Sequence, residues 1–324
     1  MVIRFALIEW FSESESGTVM RILVVGAGAV GGYFGARLVQ AGRDVDFLVR
    51  PPRARLLAEK GLRLTTQDGD TETVPVSPVT ADRLAPDYDL VIVAVKSYGL
   101  DEALKDLAPA VGPRTVVVPF LNGMRHLDAL VERFGADRVY GGVSLVQTRL
   151  DEDGGIVQVG PLADLVYGPL SERPVVGPDE VHAALDCGGY AARRSENIRR
   201  RMWDKWVFLA SLGACNCLMR APVGRINTVP GGPEFTSGMV EEAVAVATAS
   251  GFAPGEAMLE RTRTMASDTT ATTTTSMYWD LTQGNPVEAD HIIGDLVARG
   301  RELGVPTPLF SLAYTHLCVY AAGR

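Results

Sequence analysis

The chain has 324 residues, of which 47% are hydrophobic and 22% charged. That length allows two domains with cores of their own, and the composition excludes a disordered chain. A formal net charge of −8 argues against nucleic acid or an anionic membrane surface as a partner, because both demand clustered positive charge.

Residues 1–19 read as foreign to the rest of the chain. Met1 to Phe11 is apolar but short and contains Glu9, and it runs into the polar stretch Ser12 to Gly17. A membrane span needs about 18 apolar residues, and no segment of the chain approaches that. We expect 1–19 to be a disordered extension and Met20 to mark the working start.

Arg21 to Val25 is a short apolar run of the kind a strand buried on both faces shows. Glycines come next, then a helical stretch to Ala41, stopped at Gly42. Further strands are expected over Asp44–Val49, Asp89–Val95 and Thr115–Phe120, with helices over Asp101–Leu107 and His126–Phe134. Alternating β and α with near-continuous apolar strands implies a parallel sheet covered on both faces. Two more β-like stretches, Val139–Val146 and Ile156–Tyr167, are expected to extend that sheet. After Ser195 strand patterns vanish and helical ones take over, at Met202–Leu218, Glu234–Ser250 and Ala289–Leu303. The expected fold is α/β: a Rossmann-type doubly wound sheet over 20–195, followed by an all-helical domain over 196–324. The four cysteines form no CxxC pair and no metal spacing; Cys215 and Cys217 read as small residues packed in a helix. A reducing cytoplasm fits that usage, and no metal is expected.

Gly26-Ala27-Gly28-Ala29-Val30-Gly31 is a GxGxxG sequence set between the first strand and the first helix. In that setting Gly26 permits the turn, Gly28 admits a pyrophosphate close to the backbone, and Gly31 lets the helix pack on the strand. The helix N-terminus faces the anion. An NAD site needs an acid at the tip of the second strand, whereas a 2′-phosphate needs a cation. The tip is Phe47-Leu48-Val49-Arg50 with Arg53 close behind, and Asp46 lies too early. Arg50 therefore points to NADP(H). Lys96 and Asn122 come just after the next two strands, on the sheet edge where ligands gather. Thr269 to Ser276 is rich in hydroxyls and reads either as a polar loop entering a helix or as a wall able to donate to a carboxylate.

With these pieces in order, the chain resembles the ketopantoate reductase (2-dehydropantoate 2-reductase) family. The matching features are GAGAVG at Gly26–Gly31, Arg50, AVKS around Lys96, LNGM around Asn122, Trp203-Asp204-Lys205, Thr275-Ser276-Met277, and Glu288 with Asp290. The resemblance runs from Met20 nearly to the end. It implies NADPH-dependent reduction of a 2-oxo acid, with ketopantoate reduced to pantoate in pantothenate biosynthesis. It further implies Lys205 as general acid, Glu288 at the active site in contact with cofactor, and Lys96 as a cofactor contact. Asn122 would touch cofactor and substrate, Ser276 the substrate carboxylate, and Thr148 the cofactor. Glu288 has a second reading, since Asn285-Pro286-Val287-Glu288 also fits a helix capping box.

Three positions depart from the family pattern. Where the family presents asparagines four and eight residues after the lysine and in the loop beyond, this chain has Leu209, Gly213 and Val223. Asn216 is the candidate substitute on the same helix, and Arg220 a candidate cation for the carboxylate. The expected partner is a small 2-oxo acid, with a homodimer as the candidate assembly. A paralogous reductase of another branched 2-oxo acid and a non-catalytic NADP(H) sensor are the competing readings.

Overall fold

The computed structural model describes residues 20–324; the stretch 1–19, expected to be a disordered extension, lies outside them. The N-terminal region opens with β1 (Arg21–Val25), α1 (Ala29–Gln40), β2 (Asp44–Leu48) and α2 (Pro51–Lys60). It continues through β3 (Leu62–Thr65), β4 (Thr71–Val74), β5 (Ser77–Val79), β6 (Tyr88–Val93) and α3 (Leu100–Leu107). Next come β7 (Val111–Pro119), α4 (Arg125–Phe134), β8 (Tyr140–Leu150), β9 (Ile156–Pro169), α5 (Pro178–Leu185) and β10 (Ala191–Arg194).

Five of these strands form a parallel sheet in the order β5-β2-β1-β6-β7. Counting only its own strands in chain order, that is 3-2-1-4-5, the doubly wound order whose winding reverses beside the first strand and leaves a crevice at the carboxyl edge. β1 sits in the middle and is buried along nearly its whole length, so its run Ile-Leu-Val-Val is apolar on both faces. Successive side chains alternate sides. Ile22 and Val24 pack with α1 and a second sheet, whereas Leu23 and Val25 pack toward α3, α4 and the C-terminal helices.

The β-like stretches 139–146 and 156–167 do not extend the parallel sheet. They are β8 and β9, an antiparallel pair in a second sheet that runs β10-β9-β3-β4 with β8 on β9. A single bridge, Val117 to Val139, links β8's approach to the first sheet. The sequence shows that these residues are strands, but β3, which pairs with β9 and carries β4 on its other side, lies far earlier in the chain, and alternation carries no information about such pairing.

The C-terminal region is helical throughout. α6 (Ile198–Met219) is followed by α7 (Val223–Asn227), α8 (Gly232–Ala249), α9 (Glu256–Ser267) and α10 (Ser276–Thr282), then α11 (Asp295–Glu302) and α12 (Pro308–Ala322). α6 is buried on most sides, from Trp203 and Trp206 to Cys215 and Cys217. Burial pushes both thiols up to about 12, which makes them inert packing groups. One hydrophobic core runs from the β1–β6–β7 face through α4 into α6 and α8, so this face of the sheet and the helices are held by common contacts.

A π turn over Asp290–Gly294 precedes α11. Such turns leave backbone groups that need outside partners, and Trp206 Nε1 donates to the Ile292 carbonyl at 2.9 Å. Helical structure begins only after Glu288, which excludes the capping-box reading of Asn285–Glu288. Among the described residues no helix is long and apolar enough to cross a membrane, and no cluster of three metal-ligating side chains occurs. Trp206→Phe removes a buried donor and ring volume together, and should lower stability by roughly 1–3 kcal/mol in urea unfolding.

Candidate active site

The glycine turn lies where the sheet order predicts a ligand. Gly26 has φ +96°, a left-handed conformation that glycine adopts without penalty, and its N–H donates to the Leu48 carbonyl at 3.0 Å. A Cβ at Gly31 would stand 2.2 Å from the Gly26 carbonyl oxygen and 2.7 Å from Ala94 Cβ, so only glycine lets α1 pack this close. A Cβ at Gly28 would meet nothing within 4 Å. Ala27 is buried, and Ala29 and Val30 open α1, whose first turn has neither a side-chain cap nor an acidic residue. The turn thus offers unclaimed N–H groups and space beside them, which fits a dinucleotide pyrophosphate.

Around this turn stand the residues of the neighbouring strand ends. Arg50 is the N-cap of α2, exposed and ion-paired with Glu102 on α3. Asp46, the nearest acid, is committed to Arg21 and the Tyr88 hydroxyl, both at 2.8 Å. Lys96, just past β6, donates from Nζ to Asp280 Oδ2 at 2.8 Å and lies 3.5 Å from Glu288 Oε2. Burial opposes its charge, but Glu288 and Asp280 outweigh burial and raise its pKa. Glu288 also accepts from the Ser97 N–H at 2.9 Å. A carboxylate from the helical region is thereby fixed to the carboxyl edge of the sheet.

Asn122 and Gly123, past β7, line a small cavity together with Met202, Trp206 and Lys205. Lys205 projects from the first half of α6 and donates to the Ser144 carbonyl of β8 at 2.6 Å. Burial pushes its pKa down, to about 8, against the opposing attraction of Glu288. Such an amine is charged at neutral pH yet ready to release its proton. Thr148 Oγ1 donates to the Ala29 carbonyl at 2.9 Å, so β8 also touches the glycine turn.

Three candidate residues lie further along, in the second half and at the end of α6 and at the start of α10. Asn216 is wholly buried, and its amide is spent on backbone: Nδ2 donates to the Ala221 carbonyl at 2.9 Å and the Thr273 carbonyl at 3.4 Å, while Oδ1 accepts from the Thr275 N–H at 3.1 Å. These bonds give Asn216 a structural role, beside which a substrate contact stays a proposal. Both amide N–H donors and one lone pair of Oδ1 tie the Ala221 turn and the threonine-rich loop to α6. Arg220 ends α6 in a left-handed conformation, φ 54°, with its side chain exposed. Ser276 is the exposed first residue of α10, beside the Thr275 cap. Of the departing positions, Val223 is buried among Leu212, Val240 and Ala266, and a Cβ at Gly213 would lie 3.1 Å from Met277 Cε.

Sequence reasoning missed Asp280, Ser144 and a buried histidine pair. Asp280 sits four residues after Ser276, and only the fold brings it to Lys96. Ser144 contributes a backbone oxygen, which leaves no trace in a sequence. His126 and His291 bond ring to ring at 3.2 Å, and His291 packs against Gly123. Burial and the neighbouring His291 and Lys205 charges hold His126 well below the ordinary imidazole range.

Sheet order, glycine turn and an enclosed lysine at the carboxyl edge define a dinucleotide-binding α/β enzyme with a helical second region. Family comparison specifies it further. Residues 22–172 match the ketopantoate reductase PanE/ApbA model and residues 197–321 its C-terminal counterpart, so the chain belongs to that family of oxidoreductases. An uncharacterized oxidoreductase, YkpB, of Bacillus subtilis is 31% identical over 94% of this chain and 100% of its own length. A 2-dehydropantoate 2-reductase of Halobacterium salinarum is 28% identical over 90% and 95%. A crystal structure of a PanE/ApbA family ketopantoate reductase from Ralstonia eutropha superposes with TM-score 0.83 at 28% identity, covering 94% of this chain and 99% of that one. D-mandelate dehydrogenase with NADH and anilino(oxo)acetate superposes at 0.84 and 20% identity over 94% and 99%, a likeness of fold alone.

The placement of Asn216 is directly testable. Asn216→Ala strands three backbone groups and should destabilise the protein by about 1–3 kcal/mol. A variant of unchanged stability with a raised substrate KM would restore Asn216 to the substrate.

Proposed function

We propose that the protein reduces a 2-oxo acid to the 2-hydroxy acid with NADPH, ketopantoate to pantoate being the first candidate reaction. The observation behind this is Lys205, an amine enclosed beside Asn122 at the carboxyl edge of the sheet, with Glu288 close enough to support its charge. Gly26 to Gly31 would hold the pyrophosphate, Arg50 the 2′-phosphate, and Lys96, Asn122, Glu288 and Thr148 the remainder of the cofactor. Asp46 is spent within the sheet edge, which leaves no acid at the tip of β2 for a free ribose 2′-hydroxyl and favours the phosphorylated cofactor. When bound, the cofactor supplies a hydride to the carbonyl carbon. Lys205 stabilises the charge that grows on the carbonyl oxygen and delivers the proton there. Asn122 orients the same group, Ser276 meets the carboxylate, and Glu288 keeps Lys205 protonated.

A second reading, a different branched 2-oxo acid with a more apolar side chain, draws on the face of α6 beyond Lys205. One turn on stands Leu209, and at Gly213 the side of α10 closes in through Met277. A buried substrate hydroxyl without a partner loses about 1–3 kcal/mol. Initial rates of NADPH oxidation across a panel of branched 2-oxo acids separate the two. Turnover of ketopantoate at ordinary efficiency rejects the second reading, and silence across the panel with NADPH still bound rejects catalysis altogether in favour of a sensor.

Two outcomes are expected from the Lys205 proton. The reductive kcat/KM should fall as pH rises through about 8, where the amine loses its proton, and Lys205→Ala should lower turnover by about 10²–10⁴-fold with NADPH affinity nearly intact. Because Glu288 raises the pKa of Lys205, Glu288→Gln should move the fall to lower pH. A profile flat across this range, or an inflection that ignores Glu288, would assign the acid elsewhere.

A further inference from the structure

We infer that Arg53 is a second, specificity-determining cation for a 2′-phosphorylated adenosine, working beside Arg50; this rests on the NADPH reading above. Arg53 lies one turn into α2, immediately behind the tip of β2. Its Nη2 donates to the Ala27 carbonyl, inside the glycine turn, at 3.3 Å and to the Gly154 carbonyl at 2.8 Å. Gly154 belongs to the β8–β9 turn and comes so near that a Cβ there would stand 2.6 Å from Nη1. The guanidinium is therefore fixed on the wall of the cofactor turn, between two segments of backbone.

Its charge is unbalanced there. Among the described residues no carboxylate forms an ion pair with Arg53, although Arg21, Arg50 and Arg63 each have at least one. Among the described residues Asp151 is the carboxylate that attracts it, and burial outweighs that attraction. Asp151 is already engaged by Arg63 at 2.6 Å and by the N–H groups of Asp153 and Gly155. Two neutral carbonyls use only part of the five N–H donors of a guanidinium. A partly desolvated cation in this state is completed by an anion.

Sheet geometry selects the anion. With a pyrophosphate at the N-terminus of α1, the adenosine ribose turns toward the tip of β2, where Arg50 and Arg53 both originate. Arg50 alone is a poor basis for selectivity, because it is exposed and a solvent-exposed charge pair is worth little. The competing role is a purely structural clamp joining the hairpin to the glycine turn. The hairpin has no need of one, since Asp151 already closes it through Gly155 and Arg63.

Dissociation constants for NADPH, NADH and 2′,5′-ADP, measured by fluorescence titration and competition, test this in wild type, Arg50→Ala, Arg53→Met and Arg53→Lys. Arg53→Met should weaken NADPH and 2′,5′-ADP by roughly 10- to 100-fold and NADH by less than about threefold. Arg53→Lys should fall between Arg53→Met and wild type, because it keeps the charge and loses the fork. Equal weakening of NADPH and NADH, or none, with wild type preferring NADPH and Arg50→Ala losing that preference, would overturn the role of Arg53 alone. A wild type without preference for NADPH would overturn both it and the cofactor reading.

Discussion

The structure is organised around partly burying one ammonium group without extinguishing its charge. Desolvation lowers the pKa of Lys205, and in the proposed reaction a neutral amine would have nothing to give to a developing alkoxide. The Glu288 carboxylate opposes that loss, and the balance falls at about 8. The Ser144 carbonyl holds the amine meanwhile. Each of the three groups comes from a different element, so their relation is set by how β8, α6 and the segment before the π turn pack.

That packing is continuous. The face of the parallel sheet bearing Leu23, Val25, Val91 and Val93 shares one apolar core with α4, α6 and α8. At the carboxyl edge the same junction is polar: Lys96 meets Asp280 and Glu288, and Glu288 meets the Ser97 N–H. Glu288 thus serves both sides. It anchors the helical region to the strand end and supplies the field that Lys205 feels. A substitution there is felt in both, since buried charges lose their partners together.

The parallel sheet was legible because its strands are local βαβ units with apolar runs and a glycine turn at fixed spacing. The second sheet was not, because β9 pairs with β3 across a long sequence separation and alternation is blind to partner choice. The departures at Leu209, Gly213 and Val223 were visible by resemblance, yet only coordinates show that Met277 approaches Gly213 and that Val223 lies in a separate apolar cluster. Asn216 shows what a position on a helix leaves out. Its position on α6 suggested a ligand contact, while the backbone groups that consume its amide come from loops no helical periodicity describes. Glu288 was ambiguous for a similar reason, since its tetrapeptide fits a capping box and only the helix start decides that reading.

The most direct measurement is a crystal structure with NADP⁺ and a non-reactive 2-oxo acid analogue bound together. The account predicts the Lys205 amine within hydrogen-bonding distance of the analogue's 2-oxo oxygen, with the nicotinamide on the opposite side of that carbon. A complex in which the amine stays on the Ser144 carbonyl and a different donor reaches the oxygen would contradict it.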